Sequence, residues 1–350
     1  MSESKIKLGI THGDINGIGY EIIIKTLIDS RILDICTPII YGSPKIAAYH
    51  RKALDLENFS LNIIKVPHEA NQKRPNIINC VDEDVRVELG KSTEIAGEAS
   101  YRALSRAAED LKHGRIDALV TAPINKHNIR SSKVDFTGHT EYLKEYFEAE
   151  DVLMLMVSDV LKIGIVTSHV ALRDVPSMLS QEMILRKIRI LNNSLSQDFR
   201  IRKPRIGILG LNPHAGEEGI LGSEENDIII PAIKAAKDEN ILAVGPFAAD
   251  GYFGSGDYSK FDATLAMYHD QGLAPFKSIV FDAGVNFTAG LPVVRTSPAH
   301  GTAFELAGRN MARHDSFRAA LFTCCDIYSN RASEAELNKD PLKITDLSDI

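Results

Sequence analysis

The sequence predicts an α/β protein with a largely parallel sheet, laid out as two α/β/α domains around a cleft. Three observations carry this. Short apolar, strand-like runs alternate with segments of helical apolar spacing along the whole chain. Several runs stop abruptly at a polar cluster, the form of a strand exit in such folds, where ligands gather. The length of 350 residues suits about two domains of roughly 150 residues each.

The first strand is read at 6–11 and enters Gly13-Asp14-Ile15-Asn16-Gly17-Ile18-Gly19. Helical spacing follows through Ile22, Ile23, Thr26 and Leu27. Strand, glycine loop and helix make a βα unit whose helix N-terminus is available to an anion. The spacing is not Gly-x-Gly-x-x-Gly, so the loop is no Rossmann fingerprint, and a tight turn that needs glycine explains it equally well. Strands are expected at 38–41 and 61–66, with a helix at 44–53 between them. The polar stretch 67–87 reads as a loop with an edge hairpin.

A long helix is expected at 96–111, stopped by His113-Gly114. A strand at 118–121 leads to Ala122-Pro123-Ile124-Asn125-Lys126, where proline fixes a loop. His127 and Asn128 read as solvated. Gly138-His139-Thr140-Glu141 precedes a helix at 142–147, with Thr140 as its cap and its N-terminus able to hold a phosphate. Strands follow at 152–157 and 161–167, the second exiting into Ser168-His169. A helix at 181–195 and a strand at 206–210 lead to Leu211-Asn212-Pro213-His214. After a helix at 224–238, the glycine-rich stretch 246–257 offers Asp250 as a candidate active group. The strand 263–267 exits into a loop, Tyr268-His269-Asp270-Gln271-Gly272. A helix at 317–328 closes the chain, and the tail from Arg331 reads as peripheral.

Composition narrows the classes. A net charge of -7 with no basic tract argues against a general nucleic-acid binder. Cys36, Cys80, Cys324 and Cys325 contain no Cys-x-x-Cys pair, which reads as a reduced, cytoplasmic chain. The first residues lack the apolar core of a signal peptide, and no apolar run approaches roughly 18 residues, so no membrane span is expected.

Three strand exits carry a histidine: His169, His214 and His269. Each alone reads more simply as a hydrogen-bonded histidine. Strand ends on one side of a sheet converge, so three neutral imidazoles can meet in one cleft. Such a set suits zinc, cobalt or manganese, and magnesium less readily, with positions left for substrate. After the last of them come Lys277, Asn286 and Arg295, which offer cations for an anion and an amide for hydrogen bonding.

These motifs together resemble the 4-hydroxythreonine-4-phosphate dehydrogenase family of pyridoxal phosphate (vitamin B6) biosynthesis. The resemblance runs over nearly the whole chain. It rests on the glycine loop from Gly13 to Glu21, Thr121-Ala-Pro-Ile-Asn-Lys126, Gly138-His-Thr-Glu141, Ser168-His169 with Leu172-Arg-Asp-Val175, and Gly210-Leu-Asn-Pro-His-Ala-Gly216. Tyr268-His-Asp-Gln-Gly272, Gly284-Val-Asn286, Leu291-Pro292 with Arg295-Thr-Ser297, and His300-Gly-Thr-Ala303 with Leu306-Ala-Gly308 complete it. The family's first loop usually has Pro-Ala where this chain has Ile15-Asn16, and Pro where it has Tyr20.

The resemblance implies a fold similar to isocitrate and isopropylmalate dehydrogenases, in a homodimer with the active site in the cleft near the dimer interface. The expected division is 1–130 plus 300–350 for one domain and 131–299 for the other. His169, His214 and His269 would hold a divalent metal. His139, Thr140, Lys277, Asn286 and Arg295 would bind a phosphorylated hydroxy amino acid. The glycine loop (Gly13, Asp14, Gly17, Gly19) and the loop His300, Gly301, Thr302 and Ala303 would bind NAD or NADP. Asp250, reaching in from the partner subunit, or Lys277 would move the proton. A sister group acts on threonate or erythronate phosphates. Phosphate acyl transfer and metal-dependent hydrolysis are the other classes weighed.

Overall fold

The structure is a computed structural model that describes residues 5–56, 59–82, 85–130, 136, 138–280 and 282–339. Among these residues twelve strands form one sheet, in the order β3-β4-β2-β1-β5-β12-β11-β6-β7-β10-β8-β9. The strands are β1 (Ile6–Thr11), β2 (Cys36–Gly42), β3 (Asn62–Ile64), β4 (Asn76–Asn79), β5 (Ala118–Thr121) and β6 (Leu153–Val157), then β7 (Lys162–Thr167), β8 (Arg205–Leu209), β9 (Leu242–Phe247), β10 (Ala263–Tyr268), β11 (Val285–Ala289) and β12 (Arg295–Pro298). The fold is mixed α/β with a large, mostly parallel sheet, as expected.

The sheet has two parallel wings. β3, β4, β2, β1, β5 and β12 run one way, and β7, β10, β8 and β9 run the other. Between them β11 and β6 pair antiparallel with their neighbours and reverse the direction.

Side-chain alternation along the strands sorts the core. On one face Ala118 and Val120 of β5, Leu153 and Leu155 of β6, Val285 and Phe287 of β11, and Leu265 and Met267 of β10 join one cluster across both wings. The helices Gln181–Gln197 and Asp315–Leu337 pack on this face. On the other face the core is split. Leu119 and Tyr41 pack with the helix Glu94–Lys112 in one cluster, while Met156, Ile165, Ala266, Leu273 and Phe276 form another. The cleft lies between these two clusters.

Several local expectations change. Among the described residues the stretch after β3 makes no hairpin: β4 pairs parallel with β3 and β2, because a short helical turn at Pro67–Glu69 carries the chain back to the start of the sheet. Tyr268 ends β10 and is followed directly by the helix His269–Ile279, where a loop was expected. The helix at His139–Tyr146 begins three residues earlier than expected, capped by Gly138 without any side-chain cap from Thr140. The final helix extends to Leu337, and Arg331 is no tail residue: its Nε donates to the buried Asp198 carboxylate at 2.6 Å. Residues 340–350 of the expected tail lie outside the described residues. The four cysteines are unpaired, as expected. No helix among the described residues is long and apolar enough to cross a membrane.

Candidate active site

The cleft floor is the central strip of the sheet. Apolar residues at 285 and 287 point into the continuous core, so the residues between them point the other way. Met154 and Met156 of β6, Asn286 of β11, and Arg295 and Ser297 of β12 thus line one cleft of about 390 Å³. His139, Thr140, Glu141, His169, His269, Lys277, His300 and Gly301 line its walls.

Arg295 dominates the floor. Its side chain is 2% exposed. Nε and Nη2 donate to Thr121 Oγ1 at 3.0 and 2.6 Å, and Nη1 donates to Thr288 Oγ1 at 3.1 Å. The register explains Thr288, since pairing of Asn286 with Ser297 brings residues 288 and 295 opposite each other. Among the described residues no carboxylate lies within 4.0 Å of the guanidinium. Burial pushes the Arg295 pKa down to about 10, which leaves it charged at neutral pH. A guanidinium has five N–H donors, so this buried cation holds donors in reserve for an anion.

His139 sits beside it as the first residue of its helix, edge-on to Phe136 with ring centroids 6.3 Å apart. Its Nε2 is buried and has no hydrogen-bond partner among the described residues. Burial, with Arg295 and Lys126 adding to it, holds His139 well below the usual histidine range. The ring is therefore neutral at pH 7. Asn286 Oδ1 and His300 Nε2 are likewise buried without partners among the described residues. Burial also pushes His300 down, and the nearby Lys277 ammonium adds to this. Orphaned polar atoms of this kind are costly unless a ligand meets them.

His169 and His269 face each other, with ring centroids 6.1 Å apart. His169 follows β7, and His269 opens the helix after β10. In each ring Nδ1 meets a carboxylate: Glu141 Oε1 at 3.4 Å for His169, and Asp270 Oδ1 at 2.7 Å for His269. Burial pushes Glu141 up, but the His169 contact and other neighbours outweigh it and hold the carboxyl below its usual range.

A family profile described as "Pyridoxal phosphate biosynthetic protein PdxA" matches residues 34–324. A curated 4-hydroxythreonine-4-phosphate dehydrogenase of Bacteroides thetaiotaomicron is 51% identical, over 98% of this chain and 94% of its own. The chain belongs to the PdxA family. A crystal structure of the 4-hydroxythreonine-4-phosphate dehydrogenase of Klebsiella pneumoniae superposes with a TM-score of 0.79 at 33% identity, covering 93% of this chain and all of that one. A relative from Oceanobacillus iheyensis named for D-threonate 4-phosphate dehydrogenation is 38% identical, over 93% of this chain and 99% of its own.

Among the residues expected for the metal of this PdxA-family chain, His169 and His269 come together and His214 does not. Among the described residues no cluster of three His, Cys, Asp or Glu meets at metal distance. The donor set nonetheless fits a divalent ion. A carboxylate on each Nδ1 fixes the tautomer and leaves Nε2 as the free ligand, the usual second sphere of a metal-binding histidine.

His214 is exposed on a turn, Pro213–Gly219, whose residues 214 to 218 all have positive φ, between 44° and 81°. Such a run costs roughly 1–2 kcal/mol for each non-glycine residue. It is held by Glu225, 2% exposed, whose Oε1 accepts from Leu211 N and Asn212 N, both at 2.7 Å. Asp250, also exposed, lies in the first turn of the helix Ala249–Gly254, which packs on the turn of His214; neither residue lines the cleft.

In the first glycine loop Gly13, Asp14, Gly17 and Gly19 are buried. Asp14 Oδ1 accepts from Asn16 N at 2.9 Å and Oδ2 from Asn128 Nδ2 at 2.8 Å, so Asn128 is a buried partner rather than a solvated residue. Burial raises the Asp14 pKa. The helix N-terminus behind the loop is covered, with Ile18 N donating to Thr302 O at 3.1 Å. The glycines serve packing, since a Cβ on Gly17 would lie 2.8 Å from Thr302 O. Beneath the loop His12 stacks on Tyr20 and Tyr20 on His50, each at 5.2 Å. This loop props the His300–Ala303 loop from below. That upper loop does face open space, for a Cβ on Gly301 would meet nothing within 4 Å. Glu141 and Lys126, which line the cleft, were missed as site residues although both sit in motifs quoted above.

Proposed function

We propose that this protein is an NAD-dependent, divalent-metal-dependent dehydrogenase of 4-phosphooxy-L-threonine. The product is 2-amino-3-oxo-4-phosphooxybutanoate, which loses carbon dioxide to give 3-amino-2-oxopropyl phosphate on the way to pyridoxal 5'-phosphate. The observation that carries this reading is the buried Arg295, with no carboxylate within 4.0 Å among the described residues, in a cleft beside His169 and His269, in a chain half identical to a 4-hydroxythreonine-4-phosphate dehydrogenase.

Each residue has a task. Arg295, with Lys277 and the neutral His139, receives the phosphate or carboxylate, and Thr140 and Asn286 add hydrogen bonds. The 300–303 loop offers open backbone beside the cleft for the dinucleotide. When bound, a divalent ion would supply Lewis acidity to the substrate hydroxyl, and a nicotinamide would take the hydride from the carbon that bears this hydroxyl. His169 and His269 would hold that ion through Nε2. The hydroxyl proton goes to Lys277 or to the partner subunit's Asp250.

His214 and Asp250 lie beside each other toward the β9 edge of the second wing, outside the cleft, so we assign both to the site of a second copy in a homodimer. Exposed apolar residues surround them: Ile220 and Leu221 after the turn, and Leu242 and Val244 on the edge strand β9. An apolar edge strand is normally covered. A threonate or erythronate 4-phosphate is the second reading, favoured by the Oceanobacillus iheyensis relative. Reduction of NAD with a panel of phosphorylated four-carbon hydroxy acids, with and without added metal, separates the two. No NAD reduction with any of them would defeat both.

A further inference from the structure

We propose that Gln271 is a positioning residue that sets the spacing between the histidine-bearing strand exits. This rests on the metal reading above. β10 and β8 pair in parallel as far as Leu265 and Ile208, and there the ladder stops. Two residues further on, the side-chain amide of Gln271 fills the gap. Its Oε1 accepts from Met267 N at 2.7 Å, and its Nε2 donates to Gly210 O at 2.6 Å. The carboxamide stands where a peptide group of the ladder would stand, so the two exits diverge by the width of one amide.

The same stitch continues on both sides. Thr167 Oγ1, two residues before His169, donates to Met267 O at 2.7 Å. Beyond Gly210, the next two backbone N–H groups donate to the buried Glu225 carboxylate. A hydrogen-bonded line thus runs Thr167–Met267–Gln271–Gly210, from the exit of His169 past that of His269 to that of His214. A strand end satisfied only for its own sake would not require a side chain from the helix that His269 opens. Here the helix that carries one ligand fixes the loop that carries another. In a dimer with shared sites, Gln271 then joins the half-site a chain keeps to the half-site it gives away.

The test uses the full-length chain, stripped with chelator and titrated with Co²⁺ against a chromophoric competitor. Gln271→Met keeps length and removes both hydrogen bonds. It is expected to melt near wild type and keep the wild-type mass in solution. Its Co²⁺ affinity is expected to fall about 10- to 100-fold, as for other supports of metal ligands, with altered d–d absorption bands. Thr167→Val, close in shape, should show a smaller loss in the same direction. Wild-type affinity and spectrum in Gln271→Met overturn the proposal; if that variant does not fold, the same result in Thr167→Val overturns it. Should wild type itself bind no Co²⁺, or bind it undiminished after His169→Ala and His269→Ala, the metal reading fails first and takes this inference with it.

Discussion

Arg295 and His214, both assigned above to ligands, are held in opposite ways. Arg295 stands on the strand β12, 2% exposed, with two threonines from neighbouring strands fixing its fork. His214 stands exposed on a left-handed turn outside the cleft, fixed from behind by Glu225. One position is finished by its own sheet. The other spends backbone strain to present a side chain outward, which is reasonable only where something outside completes it.

The largest expected effect tests whether that contrast is a division between two chains. His169→Ala, His269→Ala and His214→Ala should each remove high-affinity metal binding and reduce turnover to background, measured by metal content and NAD reduction. Mixing Asp250→Ala with His269→Ala chains should then restore about one quarter of wild-type activity, since half the dimers are mixed and each has one intact site. No recovery in samples shown to exchange subunits would place all the machinery in one chain and dissolve the comparison.

A smaller effect is expected from the finished side. Arg295→Met should raise KM for the phosphorylated substrate about 10- to 100-fold, the loss of a charge-assisted hydrogen bond or two. The non-phosphorylated alcohol, already a poor substrate, should change little if the contact is to phosphate. Equal losses on both would move Arg295 to the carboxylate.

The smallest effect concerns what lies under the floor. Burial lowers His12 from 6.5 to about 4. The unfolded chain takes up a proton below pH 6.5 and the native protein does not until about pH 4, so stability falls as pH drops through that window. By pH 5 the loss should reach about 2 kcal/mol relative to neutral pH. Urea unfolding at pH 7 and pH 5 measures it, and His12→Phe, which keeps a ring against Tyr20, should show a shallower pH dependence. An equal slope in both proteins would assign the acid sensitivity elsewhere.

Much of this was legible from pattern. The strand exits at His169 and His269 were read as such, whereas no strand was expected over 285–298, where β11 and β12 turn Asn286 and Arg295 to the cleft. What escaped was set by distant partners. Nothing near Asp14 announces that Asn128 will meet its carboxylate, so Asn128 read as solvated although it is buried. The span 67–87 has polar residues typical of a hairpin, yet register with Cys36–Gly42 decides that β4 runs parallel. That His214 leaves the cleft depends on five left-handed residues, of which only Gly216 prefers that conformation.

The two faces of the sheet have a mechanical consequence. One face is bonded by a single core from wing to wing, and the other is split along the cleft. Such a laminate behaves as a leaf spring. Hydrogen-bonded strands across the joint resist a free swing, and the unbroken core resists stretching on its own side. The compliant deformation is a change of twist that narrows or widens the split face. Grip on a ligand would then be stored as curvature across β12, β11 and β6 and returned when product leaves.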